Sequence, residues 1–593
     1  MMKFTIVPDR LQYLKNLLLF AVRNNPLLYL NMPLMVLSAG VEILAMSILI
    51  PLSTLATGQE LAGDTFWERV LANMGLSMTP SSLLMLFFIV FSIRIVTQLV
   101  SQNLTFYLGT KIQAELSAQA FAKVVKSYSL REIEEKTAGF FIGIAGDEAS
   151  RAGTIITSIN QFFALFVLAL FYFLTIVYYS AVTAIAVVVF LAVSFVCLMG
   201  AFGKSHQLGE RQIDQRRTAY SVFLDSLNGL RTIRAFTATD YVARDYDEII
   251  SRYAKTAFHI ESLNLLARSV PVLILFASAG IFVALGLVQL ESSEQFAFLI
   301  TILIYLMRFF PAVGQCLNIL MRTIADTKAG KDVTAVIESG SATEKTIDTE
   351  VLAESVEEVR CKDIGFAYES NKWILRHLNM TLERGKSYAL MGPSGSGKST
   401  LLDLLVGLYE PSEGNVYING APIDKFDISS LRNKVILLGQ RTTVFSSSVA
   451  ENVKLGAKNV NINDVRRACS LACIDEHIQS LRHGYETVLA YQGTNFSGGQ
   501  LQRLGVARAL IRSPDVLVLD ESTSAIDAST RGKLVDNILK EYEHRIVVFV
   551  THDKAIIEKV NSVIEMREVN TVSPTHARKT ENVRVLGESS FGT

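Results

Sequence analysis

The sequence has no excess of charge of either sign and few cysteines. Lysine and arginine together number 56, as do aspartate and glutamate, so the formal net charge is zero. Because nucleic-acid binding depends on an excess of positive charge, the composition gives no reason to expect a nucleic-acid partner. The five cysteines show no metal-ligand spacing, and we interpret all of them as packing residues: Cys197, Cys316, Cys361, Cys469 and Cys473.

The amino terminus also lacks the small-residue cleavage site of a secretory signal peptide. A charged, amphipathic stretch at residues 9–25 leads instead into a long apolar run. Two interpretations of this stretch remain open: a helix that lies along the membrane surface, or an ordinary cytosolic helix before the first span.

Long apolar runs are abundant. Half of the residues are apolar and the mean hydropathy is +0.33, which is too high for an average soluble protein. A helix that crosses a bilayer needs about 20 apolar residues. Six runs reach this length, at residues 28–55, 82–107, 158–180, 182–203, 267–289 and 295–320. Residues 181–201 carry no charge, which argues against buried helices of a soluble protein.

The connections between these runs differ in length and charge. About 50 residues separate spans two and three, and about 60 separate spans four and five. These two loops are rich in lysine and arginine, from Lys111 to Arg151 and from Lys204 to Lys255, whereas the three opposite loops offer only Arg69. The positive-inside rule places both termini and the long loops in the cytoplasm. Since irregular backbone is not tolerated in lipid, we expect membrane helices that extend into the cytoplasm and turn back there.

A soluble domain follows the sixth span. Strand-like runs at 387–391, 435–438, 516–519 and 546–550 alternate with helical stretches, which is typical of an α/β domain with a largely parallel sheet. The predicted fold class is a polytopic α-helical membrane domain, with six transmembrane helices and long cytoplasmic extensions, plus an α/β P-loop ATPase domain. The predicted segments are an amphipathic start at 1–26, the membrane domain at 27–336, a linker at 337–349, the ATPase domain at 350–572 and a polar tail at 573–593.

A phosphate-binding loop gives the soluble domain its expected chemistry. The run is Gly392, Pro393, Ser394, Gly395, Ser396, Gly397, Lys398, Ser399 and Thr400. It follows a strand-like run and precedes a helical one, so that backbone N–H groups and a helix N-terminus turn toward one anion. We expect Lys398 to reach the β- and γ-phosphates of ATP and Ser399 to bind Mg²⁺.

Two adjacent acids follow the apolar run at 516–519. Asp520 is expected to hold the magnesium shell, and Glu521 to polarise the attacking water. Neighbouring residues at a strand end point in different directions, so the two carboxylates can take separate roles. An ordinary buried strand with solvated acids is the alternative, and the phosphate loop argues against it.

The motif Ser497, Gly498, Gly499 and Gln500 makes the sequence resemble the ATP-binding cassette proteins. The resemblance implies that these four residues of one subunit close over the γ-phosphate bound to the phosphate loop of the other. It also implies that Tyr368 stacks on adenine, that Gln440 senses magnesium and contacts the membrane domain, and that His552 contacts the γ-phosphate. The loop at 524–527 is similar to one that communicates across the dimer.

One stretch departs from the family pattern. Exporters commonly carry Gly-Glu-Arg-Gly before the signature, where this sequence has Ala490, Tyr491, Gln492 and Gly493. Coupling between the domains is therefore expected to use different contacts. Because Glu521 and a complete signature are present, a homodimer would have two hydrolysis-competent sites.

Six spans before one cassette resemble the half-transporter exporters, in which two chains form the transporter. This resemblance implies that residues 128–139 and 217–225 are the coupling helices. It also implies ATP-driven alternating access.

Ionisable residues at membrane depth are the candidates for substrate contact: Glu42, Arg94 and Arg308. Arginines that face a cavity could hold a phosphate or pyrophosphate head group; structural pairing or snorkelling of these charges is the alternative. Residues 40–52 and 305–311 are similar to the bacterial lipid-linked oligosaccharide flippases. The resulting hypothesis is export or flipping of an amphipathic, lipid-linked substrate by a homodimer in the inner membrane. Peptide or multidrug export is the alternative, and an ATP-gated channel or regulator is a third.

Overall fold

The computed structural model describes residues 8–56, 66–284, 293–339, 350–369, 372–566 and 583–586. The chain divides into two compact units, one of residues 1–128 and 132–343 and the other of residues 129–131 and 344–593. Most of the predicted linker and most of the predicted polar tail lie outside the described residues.

The regular secondary structure described in the first unit is entirely helical. Its helices, with the short α6 at the division between the units, are α1 (Pro8–Asn24), α2 (Leu27–Ser47), α3 (Leu49–Ala56), α4 (Phe66–Asn73), α5 (Pro80–Ser127), α6 (Leu130–Glu134), α7 (Ala138–Gly143), α8 (Ala149–Tyr179), α9 (Ala181–Asn228), α10 (Leu230–Ala235), α11 (Thr239–Ala284), α12 (Ser293–Ala325) and α13 (Thr327–Ser339). A π-helix, Ile144–Glu148, joins α7 to α8.

Among the described residues, six helical segments are long and apolar enough to cross a membrane, and each predicted span overlaps one of them. They belong to α2, α5, the continuous α7 to α8 segment, α9, α11 and α12. The first predicted span also includes α3, and residues 285–289 of the fifth lie outside the described residues. Helices α5 and α9 contain 48 residues each. At 1.5 Å per residue such a helix is about 72 Å long, more than twice the roughly 30 Å of the hydrocarbon layer. The predicted extensions beyond the membrane are therefore confirmed as continuous helices.

Local sequence sets the ends of these helices. Thr79 caps α5 through a reciprocal pair of hydrogen bonds with Ser82, and Pro80 occupies the first turn. Ser180 alone separates α8 from α9, and its hydroxyl accepts a hydrogen bond from the Thr183 amide. The predicted second coupling helix at 217–225 is wrong in position, because these residues lie inside α9. The chain turns after Gly229 instead, and α10 is the short helix of this loop.

Helices α9 and α12 approach each other closely at Gly209. A side chain at this position would overlap the carbonyl oxygen of Ala325. Small residues permit this kind of backbone contact between helices.

Ion pairs connect helix α13 to helices α8 and α9 of the membrane unit. Arg217 of α9 lies 2.6 Å from both Glu148 and Asp332, and Glu148 is almost fully buried. Arg151 of α8 pairs with Asp326, which directly precedes α13, at 3.1 Å. The exit from the sixth span is therefore tied to two other helices within the same unit.

The second unit is the predicted α/β domain. Its strands are β1 (Glu358–Glu369), β2 (Lys372–Glu383), β3 (Ser387–Met391), β4 (Glu413–Ile418), β5 (Ala421–Pro422), β6 (Val435–Leu438), β7 (Val516–Asp520), β8 (Ile546–Val550), β9 (Ser562–Met566) and β10 (Val583–Leu586). Its α-helices are α14 (Lys398–Leu405), α15 (Ile428–Lys434), α16 (Val449–Lys454), α17 (Ile462–Leu471), α18 (Asp475–Ser480), α19 (Gly498–Leu510), α20 (Ala528–Glu541) and α21 (Lys554–Ile557).

Two sheets organise this unit. Strands β2, β1, β4 and β5 form an antiparallel sheet, and a six-stranded sheet has the order β10, β9, β3, β8, β7, β6. Its strands are parallel except for β10, which pairs antiparallel to β9 at the edge. Every residue of β8 is buried, as expected for a parallel strand covered on both faces. Because parallel strands end at the same edge, the chain after β3, β6, β7 and β8 converges there.

Candidate functional site

The phosphate loop, residues 392–400, connects β3 to helix α14. Gly397 has φ +89°, and a side chain there would lie 2.6 Å from Cδ2 of Leu375, so both the conformation and the space require glycine. The Lys398 ammonium donates to the carbonyl oxygens of Gly392 and Pro393 at 2.6 and 2.9 Å. These bonds hold the charge of Lys398 over the loop.

The loop fits a phosphate group. The hydroxyl oxygen of Ser396 is buried without a hydrogen-bond partner among the described residues, which leaves it available to an oxygen ligand. The amides at the start of α14 have no partner within the helix and carry its positive dipole end. Serine hydroxyl, lysine ammonium and backbone N–H groups are the donors that bind phosphate oxygens.

Asp520 and Ser399 form the candidate magnesium site. Burial raises the pKa of Asp520 above the ordinary value for aspartate, and the adjacent Glu521 charge raises it further, whereas Lys398 and a hydrogen bond from Ser399 act in the opposite direction. Hydroxyl and carboxylate oxygens suit Mg²⁺. The described residues contain no group of three or more histidine, cysteine or acidic side chains that could hold a metal ion by themselves. Phosphate oxygens and water would therefore have to complete the coordination.

Glu521 and Gln440 meet at the carboxyl edge of the parallel sheet. The Gln440 side-chain amide donates to Oε2 of Glu521 at 2.8 Å. Glu521 itself has φ +41°, and its backbone amide donates to the carbonyl oxygen of Val550. His552 follows the neighbouring strand β8 by two residues and is exposed. The parallel topology thus gathers at one edge the ends of the strands that carry these predicted residues.

Tyr368 belongs to an aromatic group beside the phosphate loop. Its ring packs edge to face against Phe366 and Tyr409, with centroid distances of 4.9 and 5.5 Å. Its hydroxyl lies 3.4 Å from the hydroxyl of Thr400, the last residue of the loop. Stacking of Tyr368 on adenine remains a prediction.

The signature residues cap helix α19. The Ser497 hydroxyl accepts a bond from the Gln500 amide, and the Ser497 amide donates to the Gln500 side chain at 2.8 Å. This reciprocal cap fixes the direction of the helix N-terminus where Gly498 and Gly499 expose their backbone. Within the described part of the chain, no hydrogen bond joins these residues to the phosphate loop of the same copy.

Gln502 is a structural contributor that sequence reasoning misses. This side chain is 7% exposed, accepts a hydrogen bond from the Ala525 amide at 2.9 Å and donates to Ser524. It therefore ties the signature helix to the loop at 524–527. Asp527 ends that loop by capping α20, and its bond from the Thr530 amide lowers the pKa of Asp527 to about 2. The sequence signal that could have identified Gln502 is a polar residue on the buried side of α19.

The atypical stretch before the signature forms a tight turn. Tyr491–Gly493 is a single 3-10 turn in which Gln492 has φ +54°. The side chain of Asn495 closes it by accepting from the Ala490 amide at 3.0 Å. The effect of this turn on coupling remains a prediction.

The structure brings Glu42, Arg94 and Arg308 together in the membrane unit. One oxygen of Glu42 accepts two bonds from Arg94, at 3.0 and 3.2 Å. The other accepts a bond from the Tyr172 hydroxyl at 3.0 Å and lies 3.8 Å from Arg308. Glu42 is 8% exposed, so a largely buried carboxylate holds both arginines.

A cavity of about 1110 Å³ lies between α2, α5, α8, α11 and α12. Glu42 lines it, whereas neither Arg94 nor Arg308 is among its lining residues. Arg268 of α11 lines it and is exposed, and it has no ion-pair or hydrogen-bond partner among the described residues. Sequence reasoning misses Arg268 because it stands at the beginning of the predicted span 267–289, where a charge needs no special explanation.

Two family models match the chain. The one described as "ABC transporter transmembrane region" matches residues 46–313, and the one described as "ABC transporter" matches residues 375–524. The second range contains the phosphate loop, the acids after β7 and the signature. Together the two ranges cover more than half of the chain.

Several curated proteins are similar. A probable ABC transporter ATP-binding/permease protein of Haemophilus influenzae is 25% identical over 468 residues, covering 77% of this chain and 83% of its own length. The heterocyst differentiation ATP-binding protein HepA of Nostoc sp. is 36% identical over 205 residues, 35% of this chain and 34% of that protein. The transport/processing ATP-binding protein ComA of Streptococcus pneumoniae is 29% identical over 348 residues, 58% of this chain and 48% of that protein. The chain thus spans less than two thirds of the length of HepA and ComA.

A solved structure is similar over almost the whole length. It is a bacterial Atm1-family ABC exporter with ATP bound, with a TM-score of 0.74 and 21% identity, covering 91% of this chain and 95% of that chain. At this identity the likeness supports the fold alone. The family models and the fold agree, and the chain belongs to the ABC transporters: a transmembrane region and an ABC transporter domain are fused in one polypeptide, whose fold is similar to that of a bacterial Atm1-family ABC exporter.

Proposed function

We propose that two copies of this chain export or flip an amphipathic, lipid-linked saccharide across the cytoplasmic membrane by alternating access. The cavity of the membrane unit carries this proposal, because its wall is apolar on some faces and polar on others. The positive charge of the two long loops supports a cytoplasmic position for both termini and for the cassette.

The charges of the cavity favour an anionic group on the substrate. Three acidic lining residues have basic partners: Glu42 pairs with Arg94, Glu261 with Arg322 and Asp326 with Arg151. This leaves Arg268 as the lining cation without a partner among the described residues. A phosphate or pyrophosphate linked to a lipid would supply the missing negative charge.

ATP and Mg²⁺ are the proposed ligands of the cassette. The phosphate loop with Lys398 would hold the phosphates, Tyr368 the adenine, and Ser399, Asp520 and Gln440 the metal side of the site. When bound, the magnesium ion would neutralise charge that develops on the phosphate oxygens.

The catalytic step requires a proton acceptor beside the γ-phosphate. Glu521 would take the proton of the attacking water, with its carboxylate oriented by the Gln440 amide, and His552 would contact the γ-phosphate. Residues 497–500 of the second copy would complete each site. ATP would then stabilise the closed dimer and hydrolysis would release it, so that nucleotide shifts the population between two states of the membrane unit.

Peptide or multidrug export is the second candidate. Its support is the similarity to the transport/processing protein ComA, since a polar cavity also accommodates peptide bonds. An ATP-gated channel is a third, and electrical conductance in planar bilayers would distinguish it from transport.

Purified protein in liposomes tests the proposal. We expect ATPase activity to rise with polyprenyl-pyrophosphate glycans and this rise to be lost in Arg268→Gln. Arg308 does not line the cavity, but it lies 3.8 Å from Glu42, which does. Through this contact, Arg308→Ala should weaken the stimulation, whereas Arg308→Lys keeps the positive charge and should retain it. A flat response of the wild-type protein to all such lipids, together with stimulation by peptides, would contradict the lipid-linked substrate.

A further inference from the structure

Six of the eight carboxamide side chains that line the membrane cavity form one group. They come from four helices, α5, α8, α11 and α12, and we call them the amide wall: Gln98, Gln102, Gln161, Asn264, Gln315 and Asn318. Among the described residues, none of the six side chains has a hydrogen-bond partner in the protein. Elsewhere in the same cavity, Gln113 and Gln212 are bonded, to Thr154 and to Arg151 respectively.

Two members of the amide wall have buried polar atoms that are still unpartnered. Asn264 is 4% exposed, and both its side-chain nitrogen and its side-chain oxygen lack a partner, as does the side-chain oxygen of Asn318. Buried polar groups in folded proteins are almost always hydrogen-bonded, because an unmade bond is costly. A polar side chain kept in this state beside a cavity indicates a partner from outside the chain.

The chemistry of the amide wall selects neutral ligands that both donate and accept. Each carboxamide offers two N–H donors and a carbonyl acceptor without any charge. A saccharide hydroxyl has the same double character, and a glycan presents hydroxyls in all directions, which matches amides on four helices. A peptide presents its N–H and C=O groups along a single line. The cavity of about 1110 Å³ also exceeds the roughly 300–1,000 Å³ of sites for drug-sized ligands.

We propose that the amide wall binds the uncharged glycan part of the substrate head group by hydrogen bonds to its hydroxyls. This inference rests on the proposed function and assigns a part of the substrate that the cations of the cavity do not contact. The amide wall would therefore select lipids that carry a glycan, and Arg268 would select lipids that carry an anion.

Binding of two uncharged amphiphiles tests the amide wall directly. Dodecyl maltoside and a dodecyl poly(ethylene glycol) ether share the same tail, but only the first carries a saccharide. In lipid nanodiscs, we expect the wild-type protein to bind the maltoside more tightly than the ether. The double variant Gln102→Met and Gln315→Met keeps side-chain size and should weaken maltoside binding about tenfold, the loss of two hydrogen bonds, without changing ether binding.

Two controls separate this result from a general loss of structure. Gln207→Met makes the same change at an exposed position of α9 outside the cavity lining, and it should bind both amphiphiles as the wild type does. Gln102 and Gln315 are also exposed, so their substitution leaves no buried group unpartnered. The unfolding temperature of the double variant should therefore equal that of the wild type.

The inference is overturned if the wild type has no preference for the maltoside, or if the double variant keeps that preference. Binding of a short polar peptide that the double variant loses, with no maltoside preference in the wild type, would assign the amide wall to peptides instead. Flipping of polyprenyl-pyrophosphate glycans is measured separately in liposomes. A wild type that prefers the maltoside but flips no lipid-linked glycan contradicts the proposed function alone.

Discussion

Glu521, the proposed catalytic base, has an unusual backbone conformation. Its φ of +41° lies in the left-handed region, which non-glycine residues adopt rarely and at a cost of order 1–3 kcal/mol. The conformation occurs where β7 ends, and it places the carboxylate within 2.8 Å of the Gln440 amide. Backbone strain at this position is consistent with a side chain held for chemistry.

Replacement of Glu521 by glutamine tests its assigned role. Glu521→Gln keeps the shape and removes the proton acceptor, so steady-state ATPase activity should fall by about 10²–10⁴-fold while ATP binding persists. We also expect a closed dimer to accumulate with ATP, which size-exclusion chromatography of the cassettes in detergent can follow. Glu543→Gln, an exposed acid of the same unit, is the matched control. Unchanged turnover in Glu521→Gln would exclude the carboxylate as the base.

The raised pKa of Asp520 makes nucleotide-free stability depend on pH. Because burial favours the protonated carboxyl, the charged form destabilises the folded state, and stability present at low pH is lost as the pH rises through the folded pKa. Asp520→Asn stays neutral and should unfold at a higher temperature than the wild type at pH 7. This difference should shrink as the pH is lowered toward 4. A difference that is constant with pH would contradict a titration effect.

At the scale of elements, parallel strands explain why the residues predicted for the nucleotide site follow strands that end at one edge of the sheet. Lys398, Gln440, Glu521 and His552 each stand a few residues after an apolar run that forms a parallel strand, and parallel pairing brings the ends of those strands to one edge. No comparable rule predicts where the chain turns in the long helical connections between membrane spans. Residues 217–225 have the same periodicity as the rest of α9, so only Gly229 marks where the chain turns, and the predicted boundary was wrong by several residues.

Two glycines of helix α9 provide a matched pair for testing helix packing. A methyl group at Gly209 would overlap the Ala325 carbonyl of α12, whereas one at Gly203 would meet nothing within 4 Å. Gly209→Ala should destabilise the membrane unit by about 1–3 kcal/mol through overpacking. Gly203→Ala should be neutral or stabilise by up to about 1 kcal/mol, the difference in helix propensity.

Thermal unfolding in detergent micelles compares the two variants. Equal unfolding temperatures would show that α9 and α12 do not pack closely at Gly209 in the membrane.

At the scale of the whole molecule, the two halves of the nucleotide site raise the question of a second copy. The phosphate loop and the signature of one chain are not bonded to each other within the described residues, and each is locally well ordered by its own cap or loop geometry. Sequence motifs predicted both halves. Which chain supplies the other half of the site depends on the surfaces that meet between two chains, and motifs within one chain do not determine it.

Mixing of two inactive variants tests the homodimer. Lys398→Ala should lose phosphate binding, and Ser497→Arg should block the signature, so each alone should have little ATPase activity. In a mixed dimer, the phosphate loop of the Ser497→Arg chain meets the intact signature of the Lys398→Ala chain, and one working site results. We expect co-expressed chains to recover a measurable part of the activity, with Lys398→Ala co-expressed with itself as the control. No recovery from isolated mixed dimers would contradict a site shared between two copies.

The substrate region shows why charges in the membrane are hard to interpret from sequence. Glu42 and Tyr172 are 130 positions apart, and no local pattern predicts their hydrogen bond. Sequence reasoning singled out Arg94 and Arg308 because charge in an apolar run is conspicuous. It could not determine that one carboxylate holds both, or that Arg268 faces the cavity instead.

Glu42 is synthesised before any of the groups that bind it. Arg94 follows on the next span, and Tyr172 and Arg308 follow later. An unpaired charge at the centre of an inserting helix costs about 2.5–3.5 kcal/mol for an acid and for an arginine alike, and pairing of Glu42 with Arg94 offsets part of both costs. We therefore expect α2 and α5 to leave the translocon as a joined hairpin. The same carboxylate then contacts Tyr172 of α8 and, after it, Arg308 of α12, so its partners join it in the order in which these helices are translated.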